Sequence, residues 1–79
     1  MLREKSMKLV VLFHTTTEAM AADRYFTQNA VPGRLIPVPS EISAGCGMCW
    51  SVPAESGMLV EEAIKKAGLS FEKTYELLL

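Results

Sequence analysis

A charge bias is missing from this 79-residue chain: eight Lys and Arg stand against nine Asp and Glu, for a net charge of −1. Without a basic cluster, the electrostatic footprint of a nucleic-acid binder or an anionic-lipid binder is absent. Long apolar runs are missing too, and none nears the ~20 residues of a membrane helix. The start Met1 to Lys8 is positive, but the apolar run after it, Leu9 to Phe13, is too short for a signal peptide. Cysteine occurs twice and histidine once. Two cysteines three positions apart exclude a disulfide framework and fit a reduced compartment, read here as the cytoplasm. Together with the histidine they fall short of the four ligands of a structural zinc site, so neither a metal nor a cofactor is expected. There is no phosphate-binding glycine motif, no paired-carboxylate constellation and no serine-hydrolase signature.

What is there is a small globular domain, 49% hydrophobic and 22% charged, read as frayed over residues 1–7 and as one domain over 8–79. Lys8 to His14 is almost continuously apolar and rich in β-formers, which predicts a central strand buried on both faces. Thr15 with Glu18 three positions on has the form of a capping box. A helix follows to about Asn29, with Ala19, Ala22 and Phe26 on its inner face and Val31-Pro-Gly33 ending it. Arg34 to Val38 is a second strand, and its prolines confine it to an edge. Ser40 to Gly47 is a loop, with room for one helical turn after Ser40. Met48 to Val52 is a third strand, with Met48, Trp50 and Val52 on one face and Cys49 and Ser51 on the other. Pro53 stops it and Ser56 is placed to cap a second helix. Val60, Ala63, Ile64 and Ala67 give that helix its inner stripe, and Gly68 its stop. Phe71 to Leu79 is a last strand, with Phe71, Tyr75, Leu77 and Leu79 on one face.

The order βαββαβ is the ferredoxin-like plan: an α+β two-layer sandwich with an antiparallel sheet ordered 4-1-3-2 and right-handed crossovers. That topology brings the end of strand 1, the turn between strands 2 and 3 and the start of strand 4 to one rim. His14, the threonines, Glu18 and Ser43 to Gly47 should gather there, with Ser70 nearby. Cys46 sits between Gly45 and Gly47, which clear the approach to its sulfur. A helix N-terminus or a protonated histidine favours a thiolate, so Cys46 is the candidate reactive thiol and His14 its base or ionic partner. Thr15, Thr16, Ser43, Gly45, Gly47 and Cys49 are the residues expected to line the site. The blander alternatives stay open: a turn cysteine, a packing cysteine at 49, a capping threonine.

Three segments together resemble the selenium/sulfur carrier protein-like family of small bacterial proteins. They are Phe13-His-Thr-Thr-Thr-Glu-Ala19, Gly33-Arg-Leu-Ile-Pro-Val-Pro-Ser-Glu-Ile-Ser43 and Cys46-Gly47. The resemblance runs from about Lys8 to Leu79. It implies a carrier rather than a self-contained enzyme, holding a persulfide or selenide on Cys46 for transfer between donor and acceptor proteins. Two other readings compete with it. One is a small regulatory or interaction module that dimerises through the helix-free sheet face, with Val10, Leu12 and Trp50 supplying apolar area. The other is a redox protein using both cysteines.

Overall fold

The apolar run after Met7 forms β1 (Met7–Leu12), the strand on which everything else is laid. The computed structural model describes residues 5–40, 42 and 47–79. Val10, Val11 and Leu12 have no exposed surface and Leu9 has little, as an unalternating run between two covered faces requires. The strand begins earlier than the hydrophobic pattern suggests. Ser6 and Leu79 exchange both backbone hydrogen bonds, at 2.9 and 3.0 Å. Of the residues expected to fray, 1–4 lie outside the described set, and Met7 is already in the strand.

After β1 come α1 (Thr16–Gln28), β2 (Arg34–Pro37), β3 (Met48–Pro53), a 3-10 turn (Ala54–Ser56), α2 (Gly57–Ala67) and β4 (Lys73–Leu78). The described residues form a mixed α+β molecule with four strands in the order β2-β3-β1-β4, paired antiparallel throughout. This is the expected 4-1-3-2 order read from the opposite edge. The proline-bearing β2 lies at one edge, where the N–H that Pro37 lacks costs no ladder bond.

Both helices bury their apolar stripes on one face of the sheet. Ala19, Ala22 and Phe26 of α1 and Val60, Ala63 and Ile64 of α2 pack with Leu9, Val11, Trp50 and Val52. Each fully buried Val, Leu, Ile or Phe side chain contributes about 1.5–3 kcal/mol. Val10, Leu12 and Cys49 face the other way and are covered by Ile36, Val38, Ile42, Tyr75, Leu77 and Leu79. Among the described residues no helix contributes to that second cluster.

Trp50 corrects one expectation. It does not add to the helix-free face; its ring lies 4.7 Å from that of Phe26, under α1, and its Nε1 donates to the Pro32 carbonyl at 3.1 Å. The alternation along β3 makes this unavoidable, because Trp50 shares a face with Val52 and not with Cys49. Gly33 lies against the indole with φ +114. A Cβ there would meet Trp50 Nε1 and stand 2.6 Å from the Ser51 carbonyl.

Local ends differ from expectation in smaller ways. Ser56 occupies the N-cap of α2 but its side chain makes no cap bond, because the 3-10 turn already leads the chain into the helix. Ala67 is exposed, one turn beyond where α2 meets the sheet. Phe71 stands before β4 rather than on its inner face. Helix α1 ends on Ala30 rather than on the downstream proline and glycine. Ala30 takes φ +55, and Val31 N–H reaches back to the Phe26 carbonyl at 2.8 Å, the pattern of a Schellman stop.

Candidate functional site

The register puts three strand ends at one rim. Leu12, the last residue of β1, stands opposite Cys49 near the start of β3 and opposite Lys73 at the start of β4. Pro37, the last residue of β2, pairs with Met48. The Glu72 amide donates to the Leu12 carbonyl at 2.7 Å, and the Val38 amide to the Gly47 carbonyl at 3.0 Å. The hairpin between β2 and β3 therefore closes at this rim.

Beyond Leu12, Phe13 is wholly buried and anchors the turn into α1, while His14 emerges with about half of its side chain exposed (53%). Thr15 is the extended N-cap of α1, and its Oγ1 accepts the Glu18 amide at 3.1 Å. That is the forward arm of the expected capping box. The return arm is displaced by one residue: Glu18 Oε1 accepts the backbone N–H of His14, at 2.8 Å, instead of that of Thr15.

The displacement builds the site's polar network. Oε1 of Glu18 also lies 3.1 Å from His14 Nδ1. Its Oε2 accepts the Ser70 hydroxyl at 2.7 Å, from the segment between α2 and β4. These donors hold the Glu18 carboxyl below its ordinary value of 4.5. The Ser70 hydroxyl is the largest cause, followed by the His14 amide, and desolvation opposes both.

His14, Thr15, Glu18 and Ser70 are thus brought together as the topology required. Thr16 begins α1 in an exposed position, and Gly47 is exposed at the hairpin's close with φ +75. Ser43, Gly45 and Cys46 lie outside the described residues. Cys49 has no exposed surface and packs with Val10 and Leu12 on the helix-free face. Ser70 was expected only to lie near the rim. Its bond to Glu18 spans 52 positions of sequence, and no local motif announces it. Among the described residues no group of three or more His, Cys, Asp or Glu is disposed to hold a metal ion. No described helix is long and apolar enough to cross a membrane.

An antiparallel α+β domain with a His–Glu–Ser network at the closed end of a hairpin is the class of protein that emerges. Residues 8–76 match the family described as Putative Se/S carrier protein-like. The chain belongs to that family. No curated protein and no solved structure matches it.

Proposed function

We propose that this protein carries sulfane sulfur or selenium on Cys46 and passes it from a donor protein to an acceptor protein. The family supports a carrier role, and the rim network gives it a chemical setting. The observation that carries the reading is the closure of the hairpin on Gly47, the residue after Cys46, at the rim where His14 and Glu18 meet.

The step balances as a thiol–persulfide exchange. A Cys46 thiolate attacks the terminal sulfur of a donor persulfide, the donor S–S bond breaks, and the donor leaves as its thiolate. Cys46 then holds S–SH, or S–SeH when selenium is the cargo. Such a carrier presents an atom and needs no cofactor of its own. The reducing compartment it requires makes a cytoplasmic setting the natural one. Cys49, enclosed by Leu12 and Val10, serves packing in this reading, and its burial weighs against a two-cysteine redox cycle.

The test is transfer from a cysteine desulfurase followed by mass spectrometry of the Cys46 peptide. Wild type and Cys49→Ser gain one sulfur, and Cys46→Ser gains none. Equal labelling of the two serine variants overturns the proposal.

We further read the βαββαβ order and the antiparallel β2-β3-β1-β4 sheet as the ferredoxin-like split plan. An experimental structure with left-handed crossovers would refute it. A second functional reading, a homodimer closed over the helix-free face, is favoured by the apolar row Tyr75, Leu77 and Leu79, which packs on Val10 and Leu12 and is itself only partly buried. In sedimentation equilibrium, Leu77→Lys should then turn a concentration-dependent dimer into a monomer. A wild type that stays monomeric at every concentration removes this reading.

A further inference from the structure

The His14 side chain is half exposed, yet its ring has a partner. Nδ1 lies 3.1 Å from Glu18 Oε1. That oxygen already receives the His14 amide at 2.8 Å, so the carboxyl is tied to the same residue through the backbone. The second oxygen is held by Ser70 at 2.7 Å. The first turn of α1 fixes the start of the Glu18 side chain, since the Glu18 amide is bound to Thr15 Oγ1. The carboxyl therefore has little freedom to swing away from the ring.

The chemistry of the donor set decides the tautomer. An ionised carboxylate has only lone pairs to offer. The neighbouring donors keep Glu18 ionised. Its partner atom must carry a hydrogen, so Nδ1 holds the proton of the neutral ring. The lone pair is then left on Nε2, at the ring's far edge. Without a partner, a neutral histidine favours the opposite arrangement, with its proton on Nε2.

We infer that Glu18, braced by Ser70, is a positioning residue that holds His14 in the Nδ1–H form and presents Nε2 at the rim as a proton acceptor for an S–H group. In the step itself the S–H bond breaks, an N–H bond forms on Nε2, and a thiolate and an imidazolium result. The Nδ1–H stays on Glu18, whose negative charge stabilises the new cation. The geometry stands by itself; its use in sulfur transfer rests on the carrier reading above.

The test reads the ring before it reads any sulfur. Long-range nitrogen–proton NMR at neutral pH should show His14 of the wild type mainly as the Nδ1–H form. Glu18→Ala should reverse this to Nε2–H. Glu18→Gln, whose amide oxygen still accepts, should largely preserve the wild-type form. Because the Thr15 cap uses the Glu18 backbone, all of these variants keep the start of α1. A wild-type spectrum dominated by Nε2–H, or one unchanged in Glu18→Ala, overturns the positioning role. Alkylation of Cys46 by iodoacetamide, read on its own peptide at a fixed neutral pH, should slow by about tenfold or more in Glu18→Ala and His14→Ala. Unchanged rates with the tautomer as expected overturn the proton-acceptor role. Whether sulfur transfer occurs at all is decided separately by the Cys46→Ser experiment.

Discussion

Ala30 shows what a single backbone angle costs. At φ +55 its Cβ crowds the following carbonyl, a strain of about 1–2 kcal/mol for an L-residue. Glycine would relieve it but loses more chain entropy on folding, by roughly 0.5–1 kcal/mol. The balance predicts that Ala30→Gly stabilises the protein by about 0.5–1 kcal/mol, seen as a higher urea midpoint at unchanged slope. Gly33 is the opposite case. With φ +114 and the Ser51 carbonyl 2.6 Å from any Cβ, Gly33→Ala must push the indole off Phe26 and Pro32. A loss of at least about 2 kcal/mol is expected in the same titration. In the sequence Gly33 reads only as turn punctuation after Pro32. Its second duty, making room for Trp50, depends on a strand pairing of β2 with β3 that no local pattern states. Ala30 carries no sequence signal at all, since alanine is an ordinary helix former.

At the scale of the element, α1 is the informative case. The cap at Thr15 was legible because it is local: a threonine, then a glutamate three places on. Thr15→Ala should cost about 1 kcal/mol, measured by thermal melting. What the pattern missed is the target of the glutamate's side chain. Oε1 turned to His14 and Oε2 to Ser70, and the second of these is a tertiary contact between the mouth of one helix and the exit of the other. That contact gives the fold an acid response. The Glu18 carboxyl is held below 4.5, so its contribution to stability is complete above that value. The contribution is lost as the pH falls through the lower folded-state value. Glu18→Gln should flatten this part of the stability profile in acid and lower the neutral region towards the acid level of the wild type. The strands were legible for a simpler reason. Lys8 to Phe13 is apolar at every inner position because both faces of β1 are covered, whereas β3 divides Trp50 from Cys49 by alternation. Phe71 shares the apolar alternation of Tyr75, Leu77 and Leu79, but the pairing itself starts at Lys73 opposite Leu12.

The whole molecule has a lopsided interior. The larger cluster lies between sheet and helices and includes Phe26 packed on Trp50. The smaller one is roofed, among the described residues, by strand and loop side chains. Phe26→Ala should cost about 3–5 kcal/mol, a large share of the stability of a domain this size. Its effect in chemical denaturation should exceed that of Leu77→Ala, whose side chain is only partly buried. The strand order was legible because two independent clues agreed: an apolar first strand demands the centre, and a proline-bearing second strand demands an edge. The rim followed from that order without any motif, and His14, Glu18 and Ser70 met there.

The two bonds between Ser6 and Leu79 bring both extremities of the ladder side by side, six residues along β1 from Leu12. At about 3.4 Å per residue, that is roughly 20 Å from the opposite rim. A dye or a biotin anchor attached at either extremity would therefore sit at the molecule's foot. Tethered to a sensor chip in this way, the protein would offer its hairpin mouth outward to whatever partner flows past.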